Sequence, residues 1–514
     1  MTRRIRHALA ALSGVLLALS FPPYGLPAIA WVALAPLLVA LSGISALGAF
    51  FVGLTTGAIY FAVALYWLTH VMHEYGGLQL WTAVLVNVAL VAYLALFPAL
   101  FGLASNRILV RFGPRGLLAL PFVWVASELG RMKLFTGFPW VLLGYSQVEV
   151  LPIAQLASVL GVFGLSGLVA AASAALVYAW GPRQPAGRRA TLSRALPVVV
   201  VLSCAAAAAA WGARRVSESA LTRSGQPMTF GLVQGNVDQG QKWDAARAGA
   251  IFADYLRLTR GAIAGGAQAV IWPESSTPFF FEEDRPAAEE VRAIAREARV
   301  PILVGSDRVE RGRPTRYFNS AFMVAPSGET AAVYSKMHLV PFGEYVPLKR
   351  LLFFAAPLVE AVSDFSAGDE AVLLPIGPHR LSVAICYEVV YPDLVRQGVA
   401  AGAELLTTIT NDAWFGRTSA PYQHFAQASM RAIENGRYLV RAANTGISGI
   451  VDPYGRVLER SAIFEPAVIV GEARFLTNRT IYTRIGDVFA YASAAATLAL
   501  LALGAVYNRR QSVR

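Results

Sequence analysis

Residues 382–392 read SVAICYEVVYP, a short apolar run that meets a cysteine and then breaks into Tyr-Glu. A run of β-forming residues bounded by turn formers predicts a strand, so Cys386 stands at a strand end. The chain has one other cysteine, Cys204, inside VVVVLSCAAAAAA at 198–210, where a thiol reads as a small hydrophobe. That segment is apolar enough to lie in lipid, whereas 382–392 is flanked by turn-rich, charged sequence. A disulfide needs its two Cα atoms within about 7 Å, so both cysteines are read as unpaired. Cys386 is left with two readings, a buried strand cysteine or a nucleophile.

Two more strand-like runs end on polar residues. VIWPESS (270–276) places Glu274 past a strand and a proline, where a carboxylate acts as a base or caps a helix. YSKMHLVPFGEYVP (334–347) places Lys336 at a strand end and Glu344 after two turn formers. Taken alone, Lys336 is a solvated surface residue. Three strand ends carrying Glu, Lys and Cys can meet at one sheet edge, and together they supply a base, a cationic oxyanion donor and a thiol. His338 is an alternative base, although two residues past Lys336 it reads more readily as a structural hydrogen bonder.

Around these motifs, β-rich runs alternate with helical patterns: MTFGLVQ, 244–264, AQAVIW, 286–299 and VPILVGS. NSAFMVA and TAAVYSK flank a Pro-Ser-Gly turn and predict a hairpin. LSVAICYE, ELLTTIT, YLVRAAN and SGIVDP follow, with helices near 391–401 and 421–436 between them. The pattern predicts a layered α/β block with helices outside the sheets. Demanding metal and serine chemistries find no support, since the six histidines form no HExxH pair and neither CxxC nor GxSxG occurs. No metal or cofactor is expected.

The block lies within a 514-residue chain that is 56% hydrophobic and only 15% charged. Stretches apolar enough to cross a bilayer fall near 8–22, 26–42, 46–69, 80–103, 116–129, 158–180, 195–212 and 486–508, eight in all. The first follows Arg3, Arg4 and Arg6 as a signal peptide would, but no small-x-small cleavage pattern closes it, so it is read as retained. The net charge of +12 is local. Arg3, Arg4, Arg6, Arg107, Arg111, Arg115, Arg183, Arg188, Arg189, Arg194, Arg509, Arg510 and Arg514 occupy four short segments without an acidic residue; subtracting these 13 from 44 Lys and Arg leaves 31 against 32 Asp and Glu. Eight spans put all four segments on one side, which the positive-inside rule makes cytoplasmic. Nucleic-acid binding therefore loses its support. The expected organisation is a seven-span membrane domain at 1–212, a catalytic block at 213–485 on the opposite face, and an eighth span with a cytoplasmic tail at 486–514.

The set WPES, YxKxHLVPFGEYVP, ICYE and NDAWFG (411–416) resembles the carbon-nitrogen hydrolase (nitrilase) superfamily. HLVPFGEYVP within an eight-span chain is similar to one branch of it, the bacterial apolipoprotein N-acyltransferases. The resemblance implies an αββα sandwich carried by a polytopic α-helical membrane protein, with Glu274, Lys336 and Cys386 as a catalytic triad. It makes Glu344 a second essential carboxylate, Tyr387 and Glu388 the pair after the nucleophile, and Trp243 and Trp414 aromatic positions near the site. Cys386 would take an acyl chain from a phospholipid, phosphatidylethanolamine, as a thioester and pass it to the α-amino group of a diacylglyceryl-cysteine at a lipoprotein N-terminus. Lys336 and a backbone N–H near Tyr387 would face the oxyanion, and Lys336 would lower the thiol pKa. The implied protein is a monomer of the bacterial inner membrane with a periplasmic catalytic block.

Two rivals differ in sequence-readable ways. A membrane-tethered amidase would use the same triad with water as acceptor, and HLVPFGEYVP with eight spans argues against it. A transporter would carry ionisable residues inside its spans, and the span centres have essentially none. Finally, TPFFF (277–281) and LLFFAAPLVEAV (351–362) are apolar in loop positions. They are read as arms dipped into the outer leaflet through Phe279, Phe280, Phe281, Phe353 and Phe354, against a reading as domain core. Arg131 and Lys133 are candidates for lipid phosphates or plain interfacial anchors.

Overall fold

A computed structural model describes residues 1–180, 188–242, 244–345 and 365–512, of which 188–193 and 505–512 are described by backbone alone. The chain forms two compact units. One contains Met1–Trp67, Val84–Glu218 and Ile485–Arg514; the other contains Leu68–Ala83 and Ser219–Arg484.

The second unit holds two six-stranded sheets. The first runs β12 (Ala467–Phe475), β1 (Gln226–Gln234), β2 (Ala269–Ile271), β3 (Ile302–Glu310), β4 (Arg316–Val324), β5 (Thr330–Ser335). The second runs β11 (Val457–Arg460), β10 (Gly449–Val451), β9 (Leu439–Ala443), β8 (Leu405–Thr410), β7 (His379–Ile385), β6 (Leu374–Ile376). β1, β2 and β3 are parallel neighbours, as are β7, β8 and β9, so in each sheet the central strands end at one common edge. β4 and β5 form the expected hairpin, with Met323 opposite Ala332 and a turn closed by the Gly328 N–H on the Ala325 carbonyl.

Side chains alternate across a strand, and the burial follows that period. Phe230, Leu232, Ile271 and Leu303 meet Leu381, Ile385, Leu405 and Val440 between the sheets. Their neighbours Val233, Val270, Ile302 and Val304 face outward into Phe252, Tyr255, Val291 and Ile294 of helices Ala245–Ala264 and Arg285–Ala298. Those helices begin where Asp244 and Asp284 accept the N–H of Ala246 and Ala287, satisfying donors that the helix leaves open. Helices Pro392–Ala400 and Ala420–Asn435 pack on β7 and β9. The layering is αββα.

Within TPFFF, Phe281 and Phe279 belong to this core, which corrects the leaflet-arm expectation for these two. Phe281 is fully buried beside Phe322, and Phe279 packs edge-on against Phe252 at 5.0 Å. Phe280, half-buried, lies against Tyr317. Burying a Phe side chain contributes about 1.5–3 kcal/mol, which a domain with an open apolar layer captures as readily as a membrane does. Phe353 and Phe354 lie outside the described residues, as does Trp243.

The first unit is helical. Among the described residues four helical stretches are long and apolar enough to cross a membrane: Ala46–Ala64, Leu80–Thr136, Ala157–Trp180 and Arg194–Arg223. The other expected spans are shorter. Pro27–Ala40 is interrupted at Leu34, ahead of Pro36, and Val488–Gly504 is the apolar part of the last helix. The stretch read as 116–129 is divided between a 3₁₀ turn, Gly113–Ala119, and a 14-residue helix, Leu120–Lys133. Arg131 is buried and donates to the carbonyls of Phe138 and Trp140, so it braces its own loop rather than meeting lipid phosphate.

Candidate active site

The common strand edge gathers the polar residues read from the sequence. Cys386 follows β7 directly and opens a short turn, Cys386–Val390, with φ of +52°. A non-glycine residue in that left-handed region is strained and persists only where its surroundings fix it. Glu388 supplies one fixing contact. One of its oxygens accepts the Ile385 N–H at 2.7 Å; the other accepts the Tyr334 hydroxyl at 2.8 Å and the N–H groups of Met337 and His338 at 2.8 and 3.0 Å. This buried carboxylate therefore ties the Cys386 turn to the segment that carries Lys336.

Glu274 follows β2 in the turn Pro273–Ser276. That turn crosses β3 so closely that a Cβ on Gly305 would lie 2.0 Å from the Pro273 carbonyl oxygen, and only glycine admits the approach. Lys336 follows β5, its N–H donating to the Asn319 carbonyl at 2.8 Å. Its ammonium lies between two buried carboxylates, 2.9 Å from Glu344 Oε1 and 3.4 Å from Glu274 Oε1. Asn319, on β4, donates through Nδ2 to the same two oxygens, at 2.6 Å to Glu274 and 3.2 Å to Glu344. The remaining oxygens are held by backbone, Glu274 Oε2 by the Asn411 N–H and Glu344 Oε2 by the Val340 N–H, both at 2.8 Å.

The charges follow from this packing. Burial draws the Lys336 pKa down, but Glu344 and Glu274 outweigh it, so the pKa is raised and the side chain stays an ammonium. Burial pushes the Cys386 thiol up, Glu274 adds to that, and the pull of Lys336 is too small to reverse it. This corrects the expectation of a lowered thiol pKa. At rest the sulfur is protonated, and its proton has to leave as it attacks. Asp307, also buried, accepts from Ser275 at 2.7 Å, and burial lifts its pKa to about 6. Burial lowers Lys242.

Glu274, Lys336, Glu344 and Glu388 are thus brought together around the Cys386 turn. Tyr387 is buried with its ring edge-on to Tyr391 at 5.3 Å. The His338 ring packs against Tyr391 with centroids 3.9 Å apart and planes tilted by 39°, which fits a structural role better than a base. Trp414 lies in the loop 411–416 and meets Tyr75 edge-on at 5.5 Å, an aromatic pairing contributed by the Leu68–Ala83 segment. Asn319, Tyr334, Asn411, Asp412 and His424 were not picked out from the sequence. Asn411 and Asp412 stand inside the quoted NDAWFG motif, whose polar half carried that signal; the other three carry none without the fold.

Residues 13–175 match the family model for the apolipoprotein N-acyltransferase N-terminal domain, and residues 230–477 match that for carbon-nitrogen hydrolases. The chain is similar to a Geobacter metallireducens protein described as apolipoprotein N-acyltransferase, 42% identical over 512 residues that cover 99% of this chain and 96% of that one. Proteins of the same description from Methylococcus capsulatus and Azotobacter vinelandii are each 36% identical, over 93% and 99% of this chain and 92% and 96% of theirs.

Proposed function

Since the chain belongs to the apolipoprotein N-acyltransferase family, we propose that it moves an acyl chain from a phospholipid to the N-terminal amine of a diacylglyceryl-modified lipoprotein, through a thioester on Cys386. The observation that carries this reading is the buried ammonium of Lys336 held between Glu344 and Glu274 at the edge where β7 delivers Cys386. Glu274 takes the thiol proton as sulfur attacks the ester carbonyl. Its carboxylate has about four lone-pair sites and three are filled by Asn319, Lys336 and Asn411, which leaves one for a proton. Lys336 and the Tyr387 N–H face the oxyanion, a kind of contact worth about 10² to 10³ in rate. The carbon–oxygen bond breaks and the lysophospholipid leaves with the proton from Glu274.

In the second half the α-amine, with an ordinary pKa of about 8, attacks the thioester. Glu274 accepts its proton, the carbon–sulfur bond breaks, and the thiol is restored as the amide departs. Glu344 orients Lys336. The four basic segments support a topology in which the shorter apolar helices complete eight passes, both termini are cytoplasmic, and Ser219–Arg484 works in the periplasm. Phosphatidylethanolamine is the proposed donor. Intact-protein mass spectrometry of material drawn from membranes tests the reading. An acyl adduct on Cys386, discharged by a lipopeptide amine faster than by water, is the expected result; discharge by water alone would make the protein an amidase.

A further inference from the structure

A second buried polar cluster stands behind the nucleophile and has no part in the steps above. Asp412, His424 and Arg441 are all fully buried. His424, on helix Ala420–Asn435, has Nδ1 3.0 Å from Asp412 Oδ1 and 3.1 Å from Arg441 Nη2, and Arg441 Nη2 also donates to Asp412 Oδ2 at 2.9 Å. The other ring nitrogen, Nε2, lies 3.1 Å from the backbone carbonyl oxygen of Cys386. Thr410 donates to Asp412 Oδ1 at 2.9 Å.

The proton positions follow from the partners. A carbonyl oxygen only accepts, so Nε2 has to carry a hydrogen to bond it. If the ring is neutral, Arg441 donates to the bare Nδ1; if it is protonated, Nδ1–H donates to Asp412. Either way Nε2–H is aimed at Cys386. A proton on Nδ1 alone would set two lone pairs against each other. Burial, reinforced by the Arg441 charge, pushes the His424 pKa down and favours the neutral ring.

The carbonyl of Cys386 and the N–H of Tyr387 belong to one planar trans peptide and point in opposite directions. Fixing one fixes the other. The turn is therefore held on both sides of the sulfur, at the Ile385 N–H by Glu388 and at the Cys386 carbonyl by His424. We propose that His424 is the positioning residue of the nucleophile turn, setting the peptide plane between Cys386 and Tyr387 and with it both the left-handed placement of the thiol and the aim of the Tyr387 N–H. Asp412 and Arg441 hold the ring for that task. The inference rests on Cys386 being the nucleophile.

The test uses the full chain in detergent micelles with p-nitrophenyl butyrate, a soluble ester that needs no membrane capture. A Gln side chain carries its amide near the place of Nε2, and an Asn side chain near that of Nδ1. His424→Gln keeps a donor for the Cys386 carbonyl and is expected to slow acylation less than tenfold. His424→Asn lacks it and is expected to slow acylation about 10²-fold, the scale of a 1 Å misplacement, with KM within twofold and a melting temperature close to that of the Gln variant. His424→Met supplies the donor-free comparison if the Asn variant does not fold. Equal acylation rates in the Gln and donor-free variants would overturn the inference while leaving Cys386 acylation in the parent intact. Absence of any Cys386 adduct in the parent would overturn the nucleophile reading, and this inference with it.

Discussion

Lys336 Nζ and Glu344 Oε1 lie 2.9 Å apart, closer than the ammonium comes to Glu274, and both side chains are buried. Glu344 and Glu274 are each fixed by a backbone N–H, of Val340 and Asn411, so the shorter contact makes Glu344 the principal holder of the charge. Glu344→Gln is expected to let the ammonium swing toward Glu274, spoiling both the oxyanion contact and the base. Acyl-enzyme formation measured by rapid quench should fall by about 10²-fold, and the melting temperature should fall as well, because weakening a buried pair costs up to about 3–5 kcal/mol. An unchanged rate would rule out the orienting role.

The two cysteines should behave differently. Cys204 is exposed on a membrane-type helix, and Cys386 sits at the charged edge. Cys386→Ala is expected to abolish acyl transfer with the fold retained, and Cys204→Ser to leave it within twofold. Equal losses in the two variants, measured by lipopeptide acylation, would contradict the assignment.

Glu388 takes four donors and burial raises its pKa. Glu388→Ala would strand buried N–H groups at about 1–3 kcal/mol each, and so is expected to cost several kcal/mol of stability as well as all activity. Tyr334→Phe removes one donor only and should cost about 1 kcal/mol. Thermal melts of the two variants that differ little would show that Glu388 is not the clamp.

Asp307 links stability to pH. Its pKa is raised from 3.8 to about 6 by burial, so the folded state holds this proton more tightly than the unfolded state does. The stabilisation it gives is complete below about pH 4 and is lost as pH rises through about 6, amounting to about 3 kcal/mol. Asp307→Asn should flatten the melting temperature across that window and stabilise the protein at pH 8. A variant that tracks the parent at every pH would remove Asp307 as the group responsible.

For topology, a reporter active only outside the cytoplasm is expected to work when fused near residue 300 and to fail near residue 187. The reverse pattern would overturn the reading of the arginine segments.

Much of the site was legible because its residues sit where strands stop. Glu274, Lys336 and Cys386 each follow a β-rich run, and parallel strands bring such ends to one edge. Asn319 was hidden because it lies inside a strand, and only the assembled sheet places it beside the carboxylates. His424 was hidden in a helix whose packing on Cys386 no local pattern encodes. Phe281 was misjudged because an aromatic run in a loop looks the same whether its partner is a membrane or a neighbouring β-layer. The span expected at 116–129 begins in a 3₁₀ turn that Gly113 and Pro114 open, so its α-helix starts later, at Leu120.

The pairing of Tyr75 with Trp414 also bears on how the protein is made. Leu68–Ala83 belongs with Ser219–Arg484, so the catalytic unit is not one continuous piece of chain. Tyr75 leaves the ribosome about 340 residues ahead of the ring it meets, an interval of roughly 20 to 70 s at ordinary elongation rates. During that time the segment is without the partner that completes its unit. A fragment beginning at Ser219 would never receive it, and Trp414 would lack this ring partner.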